Sequence, residues 1–221
     1  LLARYLHQHS SRHQGPFVST RVAGMTPENQ ILELFGNQSN TSPARLMQAQ
    51  GGTLFIKDIV DLDEAVQARL LNSLDSQSWL RNGGTEPIPL DVRILAATSH
   101  DLEQAIAAGR LREDLYYYLN VIPLHLPPLR EHCEDIPELL EFYVNLFVNQ
   151  DHLLYRRFTV AAQNRLRNYS WPGNVRELKN LVQRLLILGD SQTIELDEIE
   201  PILDAQYRPN QSGNLSIYDL P

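Results

Sequence analysis

The stretch GGTLFIKD at residues 51–58 decides the fold class of this chain. Two glycines open it, an apolar run follows, and a lysine and an aspartate close it. A near-continuous apolar run of this kind is typical of a strand that is covered on both faces, as in a parallel sheet. A second such run, LDVRILAAT, occupies residues 90–98. The two runs therefore predict strands of one parallel sheet.

Helical patterns alternate with these runs. Residues 62–74 carry leucine and valine at helical spacing, and we expect Asp61 to be the N-cap of that helix. Another helix is predicted to begin after Asp101 and to end at Gly109. The order strand, helix, strand, helix indicates the α/β class, with helices flanking a doubly wound parallel sheet.

The chain changes character after Pro127 and Pro128. Apart from one short extended piece, the segments that follow have only the helical period. We therefore predict an α/β part over residues 1–130 and a small all-helical part over residues 131–204. Residues 205–221, where Pro, Asn, Gln, Ser and Gly cluster, are predicted to be a linker towards a DNA-binding domain outside this chain.

Composition argues against several classes of protein. Hydrophobic residues make up 43% and charged residues 21% of the chain, as in an ordinary globular protein. No run approaches the roughly 20 apolar residues that span a bilayer, and no export signal is recognisable. Cys133 is the only cysteine, so we expect a cytoplasmic protein with no membrane partner. The net charge of -8 argues against binding DNA through bulk electrostatics, so DNA binding would need another domain.

Seven segments, taken together and in order, resemble the central AAA+ ATPase domain of the bacterial sigma-54-dependent (NtrC-type) transcription activators. The segments are GPFVSTRVAG, ELFG, GGTLFIKDI, GGTEPIPLDVRILAATSHDL, GRLREDLYYYLNVIPLHLPPLRE, EDIPELL and WPGNVRELKN. The resemblance covers roughly residues 1–203, and residues 216–221 hint at the NtrX-like branch. It implies a P-loop-type AAA+ sheet with a helical lid, ATP hydrolysis in a ring of subunits, and remodelling of RNA polymerase that carries sigma-54.

The end of the first apolar run departs from the family pattern. The family places an aspartate and then a glutamate there, one for magnesium and one for the attacking water. This chain has Lys57 and Asp58 instead, and Arg21 where the family has the asparagine that restrains the glutamate. Lys57 either takes over the charge of the metal ion or is an ordinary solvated lysine. Likewise, Arg21 either neutralises Asp58 or is an ordinary surface arginine.

The remaining site residues follow from the same resemblance. Arg112 matches the first of two arginines that the family presents to the nucleotide of the next subunit, whereas Tyr118 occupies the second position. Thr98 matches the polar sensor after the second run, and Arg176 matches the sensor arginine of the lid. The candidate catalytic residues are therefore Asp58 and Arg112, and the candidate nucleotide-binding residues are Thr98 and Arg176. If Arg112 is structural, we expect it to form a salt bridge with a carboxylate.

Two family segments do not occur in the sequence. The phosphate-binding loop, G-x-x-x-x-G-K-[ST], lies in the family just before the helix represented here by residues 1–9, and the polymerase-contacting GAFTGA sequence has no counterpart in residues 37–50. Either the gene lacks these segments or they belong to sequence outside this chain. We predict no metal site from the histidines, because His9 and His13 at helical spacing lack a third ligand.

Three hypotheses for the function follow. The first is a regulatory AAA+ module of a sigma-54-type response regulator, which self-associates as a dimer or ring. In the full-length protein this module binds ATP or ADP and hydrolyses ATP weakly or not at all. The residues give little reason to expect a bound Mg²⁺ ion. The second is an ATP-hydrolysing activator whose two missing segments lie outside this chain. The third is a module that senses a nucleotide or cyclic dinucleotide and controls DNA binding without sigma-54.

Overall fold

The computed structural model describes residues 1–37 and 43–207, and the chain forms two compact units. The first, Leu1–Leu124, combines strands and helices, and the second begins at His125 and is mostly helical. The α/β class predicted from the sequence is therefore confirmed. None of the helices in the described ranges has both the length and the apolar character that a membrane span requires.

The first unit alternates strands and helices. In chain order its elements are α1 (Leu2–Gln8), β1 (Phe17–Arg21), α2 (Pro27–Phe35), α3 (Arg45–Gln48), β2 (Thr53–Lys57), a 3₁₀ helix (Ile59–Asp61), α4 (Glu64–Asp75), β3 (Ser78–Trp79), β4 (Ile88–Pro89), β5 (Arg93–Ala97), α5 (Leu102–Ala107) and α6 (Glu113–Leu119). β3 and β4 form an antiparallel hairpin, and β1, β2 and β5 form the parallel sheet that both apolar runs predicted.

The parallel sheet has the strand order β1-β2-β5, so the GGTLFIKD stretch supplies its central strand. Leu54 and Ile56 of β2 are fully buried, which explains the apolar run. At the other end of the strands, Arg21, Lys57 and Ala97 lie at one level of the register. Open parallel sheets bind their ligands outside the carboxyl ends of the strands, so this level marks the edge where a site is expected.

The glycines of the stretch allow β1 and β2 to start side by side. The backbone N–H of Thr53 donates to the carbonyl oxygen of Pro16 at 2.9 Å. A Cβ atom on Gly52 would lie 2.0 Å from that same oxygen. Since no real Cβ atom approaches an oxygen so closely, only glycine permits this spacing of the two chains.

The entry to α4 differs from the sequence prediction. Asp61, predicted to be the N-cap, is instead the last residue of the 3₁₀ helix that follows β2. Asp63 is the N-cap, and its side chain accepts a hydrogen bond from the backbone N–H of Ala65 at 3.0 Å. The prediction was wrong because the extra 3₁₀ turn delays the start of the helix. The stripe of α4 that faces the core is buried as expected and includes Val66, Leu70 and Leu74.

The second unit packs its helices around a core of its own. Its elements are two 3₁₀ helices (Leu129–Glu131 and Cys133–Asp135), α7 (Ile136–Asp151), β6 (Arg157–Phe158), α8 (Val160–Arg167), α9 (Asn174–Leu188), β7 (Thr193–Ile194) and α10 (Leu196–Tyr207). β6 and β7 pair in parallel. Residues 205–207 of the predicted linker continue α10, whereas residues 208–221 lie outside the described residues.

The first unit ends at Leu124, a few residues before the boundary that the sequence placed after residue 130. Leu129 lies in the core of the helical unit, and its backbone N–H donates to Oδ1 of Asn174 at the start of α9 at 2.8 Å. The 3₁₀ helix that begins at Leu129 therefore packs with the helical unit, although its sequence looks like the end of the α/β part.

Candidate functional site

The carboxyl edge of the sheet brings several predicted site residues together. Arg21 and Lys57 are the last residues of β1 and β2 and lie opposite each other. Asp58 follows Lys57 directly. Thr98 follows Ala97, the last residue of β5, which lies opposite Lys57 on its other side. The topology thus places a hydroxyl, a carboxylate and two cations at one edge of the sheet.

Arg21 and Asp58 form an ion pair across the ends of β1 and β2. Nε of Arg21 donates to Oδ2 of Asp58 at 2.9 Å. Of the two alternatives for Arg21, pairing with Asp58 is therefore the one present. The side chain of Arg21 is 71% exposed, so the pair contributes little to stability. It nevertheless engages one oxygen of the candidate catalytic carboxylate.

Lys57 has no carboxylate partner among the residues that the structure describes. Its side chain is exposed, and Nζ lies 5.8 Å from the centroid of the Phe55 ring on the same face of β2. Over residues 1–37 and 43–207, no carboxylate lies within ion-pair distance of this ammonium group. The positive charge at the end of the central strand is therefore available to an anion.

The loops that follow β2 and β5 lie close together at the same edge. Oγ1 of Thr98 accepts a hydrogen bond from the backbone N–H of His100 at 3.0 Å. Nε2 of His100 in turn lies 3.6 Å from Oδ1 of Asp61, and both side chains are partly exposed. Sequence reasoning missed this contact, because neither residue belongs to a local pattern that points to the other.

Arg112 is the N-cap residue of α6, and carboxylates of its own chain hold its side chain. Nε and Nη2 donate to the two oxygens of Asp114 at 3.0 and 2.8 Å, and Nη1 lies 3.6 Å from Oε1 of Glu64. The side-chain hydrogen bonding between Arg112 and Asp114 raises the pKa of Arg112 and lowers the pKa of Asp114. The salt bridge expected of a structural Arg112 is thus present.

Tyr118 lies on the same helix and plays a different part from Arg112. Its hydroxyl donates to the backbone carbonyl of Leu74 near the end of α4 at 3.2 Å. The side chain is 41% exposed and brings no charge to this surface. Tyr118 therefore ties α6 to α4, and Arg112 is the cation that α6 offers at its N-terminus.

Arg176 belongs to the helical unit, where it lies exposed in the first turn of α9. The start of this helix is held by the WPGN segment. Trp171 is fully buried, and its indole N–H donates to the carbonyl oxygen of Leu166 at 2.9 Å. The carboxylate of Glu177 accepts from the backbone N–H of Gly173 at 2.7 Å. Trp171 therefore packs in the core of the helical unit.

The sequence predicts no metal site at the histidines. Within residues 1–37 and 43–207, no three histidine, cysteine, aspartate or glutamate side chains are placed to hold a metal ion. Residues 38–42, which belong to the interval considered for the GAFTGA sequence, lie outside the described residues.

Known proteins resemble the whole chain. The Sigma-54 interaction domain family matches residues 1–125, and the AAA+ ATPase lid domain family matches residues 130–215. The nitrogen assimilation regulatory protein NtrX of Azorhizobium caulinodans is 41% identical over 100% of this chain and 51% of that protein. The DNA-binding transcriptional regulator NtrC of Azospirillum brasilense is 44% identical over 90% of this chain and 43% of that protein. The chain thus spans about half the length of the curated relatives it matches.

Solved structures give the same result for the fold. Crystal structures of NtrX from Brucella abortus in complex with ADP and with ATP each match with a TM-score of 0.87 and 37% identity, over 96% of this chain and 49% of that chain. A RuvB mutant of Thermotoga maritima, at 14% identity and a TM-score of 0.55, shares the fold alone. The sheet is that of an AAA+ P-loop NTPase domain, and the chain belongs to the family of sigma-54-dependent, NtrC-type transcription activators.

Proposed function

We propose that this chain is the central regulatory and self-association module of a sigma-54-type response regulator that binds nucleotide but hydrolyses ATP weakly or not at all. The observation that carries the proposal is the ammonium group of Lys57 at the carboxyl end of the central strand, which has no ion-pair partner among the described residues. Arg21 adds a second positive charge at the ends of β1 and β2, where it pairs with Asp58.

Magnesium binding is where these charges matter most. Mg²⁺ is bound through oxygen ligands, usually one or two carboxylates together with phosphate oxygens and water. At the ends of β1 and β2 the carboxylate of Asp58 already accepts a hydrogen bond from Arg21, and the ammonium of Lys57 repels a cation. These residues do not fit a magnesium ion by themselves. The same bond engages an oxygen of Asp58 that a general base would turn towards water.

Nucleotide binding, by contrast, is compatible with these charges. An ammonium group attracts phosphate oxygens, so Lys57 can supply the positive charge that a metal ion supplies elsewhere in the family. Thr98 at the same edge and Arg176 on the lid are the further residues that we assign to the nucleotide. The similar NtrX of Brucella abortus has been crystallised with ADP and with ATP. We therefore expect ATP or ADP to bind the full-length protein with little dependence on Mg²⁺.

The proposed partners follow from the family and from the surface charge. Arg112 is partly exposed on the first unit, and its Nη1 group makes no hydrogen bond to Asp114. We propose that this group reaches a nucleotide phosphate of a neighbouring copy, and that the chain self-associates as a dimer or ring. RNA polymerase with sigma-54 is the proposed target. DNA binding falls to a domain outside residues 1–221, because the net charge of -8 disfavours DNA contact by this chain. The proposed location is the cytoplasm.

Steady-state ATP hydrolysis by the full-length protein tests the proposal. We expect turnover close to background, and Lys57→Ala should not reduce it further. The double variant Lys57→Asp, Asp58→Glu restores two carboxylates and should raise magnesium-dependent turnover by about tenfold or more, since a positioned general base contributes at least that much. Lys179→Asp, which changes the charge of the helical unit by the same amount, is the control. Robust wild-type turnover that Lys57→Ala abolishes would contradict the proposal.

A genuine ATP-hydrolysing activator is the second candidate. The observation that favours it is the presence of Thr98, Arg112 and Arg176 at family positions despite the changes at Lys57 and Asp58. This candidate requires magnesium-dependent hydrolysis and open-complex formation at a sigma-54 promoter by the unmodified full-length protein. The hydrolysis assay therefore separates the two candidates directly.

A further inference from the structure

A buried glutamine connects Arg112 to the loop at the carboxyl edge of the sheet. Gln67 in α4 is 1% exposed. Its Nε2 donates to the backbone carbonyls of Leu62 and Arg110, both at 2.8 Å. Its Oε1 accepts from the backbone N–H of Arg112 at 2.9 Å. One side-chain amide thus joins the loop that follows β2 to the segment that ends in Arg112.

The guanidinium group of Arg112 is held from the same helix. Glu64 lies one helical turn before Gln67, and its Oε1 is 3.6 Å from Nη1 of Arg112. Gln67 therefore restrains the backbone of Arg112, while Glu64 and Asp114 restrain its side chain. The restraint on the backbone is the firmer one, because breaking a buried hydrogen bond leaves a polar group without water.

A second buried glutamine holds the other side of the same loop. Gln30 in α2 is 3% exposed. Its Nε2 donates to the carbonyl oxygen of Asp61 at 2.8 Å, and its Oε1 accepts from the backbone N–H of Asp63 at 2.8 Å. The loop at residues 58–63 is thus fixed by Gln30 on the side of α2 and by Gln67 on the side of α4.

We infer that Gln67 is a positioning residue for Arg112, and that it couples the place of Arg112 to the loop beside the nucleotide. A movement of Leu62 is passed through one buried amide to Arg110 and Arg112, with a direct hydrogen bond at every step. Nucleotide bound near Asp58 therefore alters how Arg112 is presented to a neighbouring copy of the chain. This inference rests on the role of Arg112 in the proposed function.

A double-mutant cycle on the ATP-dependent self-association of the full-length protein tests the inference. Gln67→Met keeps the length of the side chain and removes its hydrogen bonds, and Arg112→Ala removes the guanidinium. Residues in one hydrogen-bond network usually couple, so Gln67→Met should weaken association about three- to tenfold when Arg112 is present, but less than about twofold in the Arg112→Ala background. Sedimentation with and without ATP measures both values.

Gln30→Met is the matched control. It also removes buried hydrogen bonds to the loop at residues 58–63, namely those to the backbone of Asp61 and Asp63. Unlike Gln67, Gln30 makes no hydrogen bond to Arg110 or Arg112. We expect both methionine variants to melt at a lower temperature, while only Gln67→Met depends on Arg112. Should Gln67→Met fail to fold, Gln67→Asn takes its place, because it keeps the amide but is one methylene too short to span the gap.

The possible results lead to different conclusions. Equal weakening by the Gln67 variant in both backgrounds makes Gln67 a structural residue and overturns the inference. If Arg112→Ala alone leaves association unchanged, the role of Arg112 in the proposed function is wrong. If ATP does not promote association of the wild-type protein at all, the proposed function fails, and the inference fails with it.

Discussion

Burial gives arginines of the same chemistry different roles. In the helical unit, Arg156 is 1% exposed and bonds to Glu198 at 2.8 Å as well as to the backbone carbonyls of Leu185 and Thr193. The neighbouring pair of Arg165 with Glu200 has the same 2.8 Å distance, but about a third of each side chain is exposed. A cation so deeply buried must be paired, whereas water screens an exposed pair.

Replacing Arg156 by methionine should therefore lower the free energy of unfolding by about 3–5 kcal/mol, because Glu198 and the carbonyl groups lose their buried donor. Arg165→Met is the matched control and should cost at most about 1 kcal/mol, as expected for an exposed pair. Urea unfolding measures both values. Similar losses for the two variants would show that burial is not what distinguishes these arginines.

The sequence predicts some of the site residues and misses others for a physical reason. The sequence offers the pairing of Arg21 with Asp58 as one of two alternatives, and the structure shows this pairing. It could be anticipated because the family pattern places both residues at the ends of neighbouring strands. Gln30 and Gln67 were missed, since a glutamine in a helix reads as a surface residue until its distant backbone partners are known. Their partners lie in loops that only the folded chain brings near.

At the level of strands and helices, the local pattern predicts that an element exists and of which type it is. It predicts the place of a strand in the sheet and the first residue of a helix less well. Both apolar runs of the sheet are strands, but the central place of β2 depends on chain crossovers that no local period encodes. Asp61 was misassigned as an N-cap because the 3₁₀ turn before α4 places two further residues between it and the helix. A polar residue before an apolar helix signals a start without fixing its position.

The close start of β1 and β2 gives a prediction for the sheet. Gly52→Ala should destabilise the protein by about 1–3 kcal/mol or more, because its Cβ would force the carbonyl of Pro16 away from Thr53. Gly84→Ala is the control, since its nearest contact would be an ordinary 3.4 Å. Thermal unfolding of both variants checks this. Equal stability would mean that the two strands tolerate a wider spacing than the hydrogen bond between them suggests.

For the molecule as a whole, membership of the family and the charge at the site give different expectations. The fold and the lid are those of the sigma-54-dependent family, whereas we propose that Lys57 opposes the metal ion on which ATP hydrolysis depends. A bound nucleotide that needs no metal reconciles the two. In that account, the chain keeps the ability to sense nucleotide and to associate, and it loses most of its turnover.

Isothermal titration of ATP into the full-length protein, with magnesium and with EDTA, tests this account most directly. We expect similar dissociation constants in the two buffers, and about tenfold weaker binding in EDTA for Lys57→Ala, as for the loss of one hydrogen bond to a charged group. Lys179→Ala, whose ammonium lies 5.7 Å from the ring of Phe147 much as Lys57 lies over Phe55, should bind like the wild type. Binding that requires magnesium and is unaffected by Lys57→Ala would contradict the account.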